Sequence, residues 1–185
     1  MADIKERLDL LKQTIQEDDF LQGKGLSNEV NIRMFCYNPK DEMVVRDFTE
    51  RLKSQQLKCN VQIVDLFELL IDICKEKRIL DRIPKLEAKK GQERIEQYFK
   101  KNCNEEKFSY EIMNQLDENS DLILITGVGK VYPFLRAHNL LNTLQEKNEQ
   151  KKPIVVLYPG AYDGHYVKLF NQLNQNEYYR AFNII

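Results

Sequence analysis

The chain has 185 residues, 42% hydrophobic and 31% charged, with 28 basic against 29 acidic side chains and a formal net charge of -1. That length suits one domain able to bury its own core. The near-neutral balance excludes any global attraction to nucleic acid or to an anionic membrane and leaves only local patches. No apolar run approaches the roughly 20 residues of a membrane span. The opening MADIKERLDLLKQTIQEDD is charged and amphipathic, without the apolar core of a secretion signal. Cys36, Cys59, Cys74 and Cys103 form no CxxC pair and read as buried free thiols, so a reducing compartment, the cytoplasm, is the expected location.

In chain order, Ile4, Leu8, Leu11 and Ile15 make one apolar helical stripe, which Gly23 and Gly25 end. Residues 31–37 (NIRMFCY) alternate, with Ile32, Met34 and Cys36 on one face, and predict a strand. After Asn38-Pro39, Asp41 is placed to cap a helix carrying Val44, Phe48 and Leu52. A second strand is predicted over 59–64 (CNVQIV). It runs directly into the apolar stretch 66–74, read as a buried helix. The charged stretch 75–91, broken by Pro84, precedes modest helical patterns around 95–99 and 108–116; residues 74–118 are candidates for a helical insertion.

Residues 121–126 (DLILIT) read as a strand buried on both faces, ended by Gly127 and Gly129. A helix is expected from about Pro133 to Leu144, with Phe134, His138, Leu141 and Leu144 roughly in register. Residues 153–158 (PIVVLY) form a fourth strand, stopped by Pro159-Gly160. A helix is expected from about Asp163 to Leu173, and 178–185 (YYRAFNII) close the chain as an edge strand. Alternating strands and helices with buried central strands predict an α/β fold: a doubly wound, mostly parallel sheet of about five strands flanked by helices.

Open parallel sheets bind ligands beyond the carboxyl ends of their strands. The segment Gly127-Val128-Gly129-Lys130 combines backbone N–H groups, a helix start and a lysine, the ingredients of a phosphate loop. The Walker pattern fails, because Leu124 stands where its first glycine is required and Val131 where a hydroxyl would hold magnesium. A structural strand-to-helix turn is the favoured reading, with weak anion binding beside it. Arg136 and Asn139 are expected to share a helical face, either binding a partner or tying the helix to its neighbour. His138 falls on the apolar stripe, as a core or boundary residue. Asp163 reads first as a helix cap, though a pairing with His165 is conceivable. Tyr162 and Arg180 lie in aromatic-rich segments of the kind favoured at interfaces. Residues 75–90 hold seven bases against three acids. A solvated face is the first reading of that stretch, and contact with nucleic acid or an acidic partner the second. No catalytic set, cofactor or metal site is expected. The candidate binding residues, for ligand or partner, are Gly127, Gly129, Lys130, Arg136, Asn139, Tyr162, Asp163 and Arg180.

Residues 19–21 (DFL) with 23–29 (GKGLSNE), 126–142 (TGVGKVYPFLRAHNLLN), 158–164 (YPGAYDG) and 178–182 (YYRAF) resemble, in order and at matching spacing, the BrxB family of bacterial BREX (bacteriophage exclusion) defence systems. The resemblance implies a non-catalytic accessory subunit. Its partners would be other BREX proteins, a PglZ-like protein first, with the methyltransferase and the ATPase beside it. It implies nucleic-acid contact only indirectly, and no membrane. A nucleotide- or phosphate-sensing role for Gly127–Lys130 and a DNA-contacting role are the alternatives.

Overall fold

The structure is a computed structural model that describes residues 3–24, 31–162, 167–174 and 182–185. The chain opens with α1 (Ile4–Thr14) and the single turn α2 (Asp18–Leu21). Leu8 and Leu11 of α1, with Ile15 just beyond, are buried, as their spacing requires. Strand β1 (Ile32–Tyr37) follows, then a 3-10 turn over 39–41 and α3 (Glu42–Ser54). Asp41 makes no capping bond here. The Asn38 side chain instead accepts from the Lys40 N–H at 3.1 Å, because the chain enters α3 through the tighter turn that Pro39 begins.

Strand β2 (Val61–Asp65) starts two residues later than expected. The Asn60 N–H is taken by the Asp121 carboxylate at 2.7 Å while its carbonyl accepts from the Asp121 N–H at 2.8 Å, and the Cys59 thiol donates to the Ile15 carbonyl. Asp65 leads directly into α4 (Leu66–Glu76), which buries Leu66, Leu69, Leu70, Ile73 and Cys74. Next come α5 (Ile83–Lys90), α6 (Gln92–Asn102) and α7 (Glu105–Asn114), and then β3 (Leu122–Thr126). The helices α6 and α7 place Ile95, Phe99, Phe108 and Ile112 in the same apolar cluster as one face of the sheet.

After β3 come the one-turn α8 (Val128–Val131) and α9 (Ala137–Lys147). The helix expected from about Pro133 starts only at Ala137, as α9, and a separate turn, α8, precedes it; between them Tyr132, with ψ 137°, is extended as residues before proline prefer. Strand β4 (Ile154–Tyr162) passes through Pro159-Gly160 instead of stopping there. It turns back into β5 (Val167–Leu169) and β6 (Leu173–Asn174), antiparallel strands where a helix from Asp163 was expected. Val167 and Leu169 are buried with Lys168 between them, a period of two that suits a strand. Gly160 permits the fold-back: a Cβ there would lie 2.1 Å from the Lys168 carbonyl oxygen. Last is β7 (Phe182–Asn183), which pairs with β1 at the sheet edge; the rest of the expected terminal strand, 178–181, lies outside the described residues.

The strand order is β2-β3-β4-β1-β7, and every pair along it is parallel. Residues of alternating parity face opposite sides. Ile32, Met34, Cys36, Ile123, Ile125, Ile154, Val156 and Tyr158 pack with α4, α6, α7, α8 and α9. Phe35, Tyr37, Leu122, Leu124, Val155 and Leu157 pack with α1 and α3. The chain leaves β1 across three sheet positions and then steps back through β2, β3 and β4. The connections therefore wind in both directions and cover both faces.

Candidate functional site

The carboxyl ends of β2 and β3 lie side by side, with Asp65 opposite Thr126 in register. Asp65 ends β2 and caps α4, its Oδ1 accepting from the Phe67 N–H at 2.8 Å and the Glu68 N–H at 3.2 Å. Its other oxygen, Oδ2, pairs with the Lys130 ammonium, and both side chains are partly shielded from water. Gly127 makes this possible. It adopts φ +77°, and a Cβ at that position would stand 2.6 Å from Asp65 Oδ1, so the carboxylate occupies the space a side chain would fill. The Lys130 ammonium also lies 5.8 Å from the centre of the half-exposed Phe67 ring.

Gly129 serves a second close approach. A Cβ there would meet the Phe170 ring at 2.8 Å and Pro159 at 3.2 Å. Phe170 in turn packs edge-on against Tyr132, ring centres 6.3 Å apart, and its N–H donates to the Pro159 carbonyl at 2.8 Å. The β5–β6 fold-back is thus sealed onto the α8 turn by aromatic contacts. The site at this end of the sheet is a closed turn: its lysine is neutralised by Asp65, and its second glycine faces a phenyl ring instead of open space. The one-turn α8 contributes little dipole to attract an anion.

Of the candidate residues, Gly127, Gly129 and Lys130 come together here, and Tyr162 stands half-buried at the end of β4. Arg136 and Asn139 do not share a helical face, because Arg136 is extended (φ -103°, ψ 126°) at the cap of α9. Asn139 donates to Glu105 at 2.8 Å and ties α9 to α7, where Lys147 and Glu106 form a second link. His138, half-buried, shares a hydrogen bond with Asn142 at 3.1 Å. Asp163 with its neighbour His165, and Arg180, lie outside the described residues. Asp65 and Phe67 were missed in the sequence, although an acid at a strand end followed by an apolar helical run is the mark of a helix cap. Nothing in the sequence could have shown that the same carboxylate meets a lysine 65 positions later.

Among the described residues no cluster of three or more His, Cys, Asp or Glu could hold a metal ion. All four cysteines are buried. Burial pushes the Cys36 thiol up to about 12, the nearby Arg7 acting weakly in the other direction. Hydrogen bonding between Cys74 and Cys103 raises Cys103 and lowers Cys74. The hydroxyls of Tyr158 and Ser109 are buried with no hydrogen-bond partner among the described residues, and burial raises Tyr158 well above the usual tyrosine range. No described helix is long and apolar enough to cross a membrane.

Fold and site together define a doubly wound α/β protein whose carboxyl-end loop is tied to the neighbouring strand by an ion pair. Residues 62–184 match the family model described as "BREX protein BrxB". A BREX protein BrxB of Bacillus cereus (strain H3081.97) is 36% identical over 193 aligned positions, spanning 100% of this chain and 99% of that protein. A BREX protein BrxB of Escherichia coli O9:H4 (strain HS) is 28% identical over 188 positions, spanning 98% of this chain and 92% of that one. No solved structure gives a significant match. The chain belongs to the BrxB family.

Proposed function

We propose that this BREX component acts as a non-catalytic adaptor in phage defence, holding a PglZ-like protein together with the methyltransferase or the ATPase. The observation that carries this reading is the state of the carboxyl-end turn. The glycine turn at the carboxyl end of β3, whose sequence carries the ingredients of a phosphate loop, is filled by the Asp65–Lys130 pair and by Phe170 against Gly129. The surface left there is aromatic, with Phe67 39% exposed beside the paired lysine, a composition suited to a protein partner.

Co-purification of the tagged chain from cells expressing the complete neighbouring operon tests the proposal. A stoichiometric PglZ-like or methyltransferase partner is expected, and Phe67→Glu is expected to weaken its recovery at least tenfold. A chain recovered alone would overturn the adaptor reading. Calorimetry with ATP, GTP and cyclic nucleotides tests the sensing alternative; heat at millimolar ligand that vanished in Lys130→Gln would favour sensing over the adaptor.

A further inference from the structure

The densest concentration of positive charge lies away from the site just described. The 11 residues of α4 begin beside the Asp65–Lys130 pair and carry the chain about 16 Å from it. The helix ends at Lys77 and Arg78, held by Lys77 N–H to Ile73 O at 3.0 Å and Ile79 N–H to Cys74 O at 3.0 Å. Arg78 occupies the left-handed region at φ 54°, where glycine or asparagine is the usual terminator.

The following helix, α5, buries none of its residues. Ile83 and Leu86 rest on the core from one side. Beside them, Arg82, Lys85 and Lys89 are exposed at i, i+3 and i+7, which places them on one face, and Lys90 is exposed at the end of the helix. Along the helix they span about 10 Å, with one turn between Lys85 and Lys89.

The structure removes one of the acids that could neutralise this ridge. Glu76 is taken by Lys107, and Lys75 is already paired with Asp72. Arg78, Arg82, Lys85, Lys89 and Lys90 form no ion pair with any described residue, against Asp81, Glu87 and Glu93 as the nearby acids in sequence.

Two features choose between the anionic partners such a ridge could take. The exposed large hydrophobic side chains among the described residues, Leu10, Met43, Phe67, Tyr110 and Leu173, all lie on other segments. Protein interfaces centre on apolar or aromatic anchors and are depleted in lysine, whereas nucleic-acid interfaces are polar and strongly positive. No aromatic is interleaved among the five bases to stack on unpaired bases, which favours a duplex over a single strand.

We propose that Arg78, Arg82, Lys85, Lys89 and Lys90 form a docking surface for the phosphate backbone of duplex nucleic acid, engaged without reading its sequence. This is direct contact, where the family resemblance implied only indirect contact. It is independent of the adaptor surface at the carboxyl end of the sheet.

The test is fluorescence anisotropy of the full chain with a labelled DNA duplex of about 20 base pairs, at salt from about 50 to about 200 mM. With about four phosphates neutralised, affinity is expected to fall about hundredfold across that range, equally for unrelated sequences. The exposed triple variant Arg82→Gln/Lys85→Gln/Lys89→Gln is expected to lose at least tenfold at low salt and to flatten the salt slope by about 3. The control Lys5→Gln/Lys12→Gln/Lys40→Gln is expected to bind as the wild type does. Absent binding at low salt, an equal loss in the control, or equally tight binding of a polyglutamate probe would each overturn the proposal.

Discussion

Asp65, at the end of β2, reaches across the strand boundary to neutralise Lys130 while its other oxygen caps α4. One carboxylate thus fixes a helix start, a glycine turn and the charge of the only lysine in that turn. The pair has a double consequence: it stabilises the carboxyl end of the sheet, and it withholds from any anion the cation that a phosphate loop would offer.

The pair is only partly shielded, so its own contribution is modest. Lys130→Ala is expected to cost about 1 kcal/mol, while Asp65→Ala, which also removes the α4 cap, is expected to cost about 2–3 kcal/mol. A double-mutant cycle followed by urea unfolding should return a coupling of about 1 kcal/mol. A coupling of zero would mean that the two side chains do not sense each other.

Gly160 and Gly91 provide a contrast between close approach and backbone conformation. At Gly91 the backbone has φ +77° and ψ 166° and nothing stands within 4 Å of a Cβ, so Gly91→Ala is expected to cost about 1–3 kcal/mol from backbone conformation alone. At Gly160 a methyl group would collide with the Lys168 carbonyl, and Gly160→Ala is expected to cost more than about 3 kcal/mol or to release the β5–β6 fold-back. Comparing the two unfolding midpoints checks the order.

Tyr37 and Tyr158 lie on neighbouring strands and point to opposite faces. The Tyr37 hydroxyl donates to Glu42 at 2.5 Å, so Tyr37→Phe is expected to cost about 1 kcal/mol or slightly more. The Tyr158 hydroxyl is buried without a described partner, so Tyr158→Phe is expected to be neutral or to stabilise by up to about 1 kcal/mol. A destabilising Tyr158→Phe would show that a bound water or ligand satisfies that hydroxyl in solution.

The buried thiols give a pH signature. Native protein is expected to resist a thiol reagent at about pH 8, with all four cysteines reacting once denatured. Cys36 is raised by burial from 9.0 to about 12, so above its unfolded value the native state holds a proton that the unfolded state has lost. Its contribution is therefore complete below about pH 9 and is lost as pH rises toward 12. Unfolding midpoints should fall through that alkaline window, and Cys36→Ala should flatten part of the slope.

Much of this was legible in the sequence. The alternation in 31–37 foretold which side chains of β1 face which layer, and the continuous apolar runs at 122–126 and 154–158 foretold strands buried on both faces. The segment 66–74 was apolar enough to require a buried helix. The failures cluster after Pro159-Gly160. A pair that usually ends a strand lies within β4 here, because the Phe170 N–H satisfies the Pro159 carbonyl and Gly160 admits the Lys168 carbonyl. Those partners come from residues that only the fold-back brings near.

The sequence by itself determined the layers, since periodicity records which side of each element must leave water. It also carried the family, since the blocks 126–142 and 158–164 are specific in order and spacing. Tertiary structure alone decided the character of the site. Gly127–Lys130 is compatible with an open phosphate cradle or with a closed turn, and the choice depends on a carboxylate that β2 delivers from 65 residues away. The charge of a lysine is local to the chain, but whether that charge is free depends on what the fold places beside it.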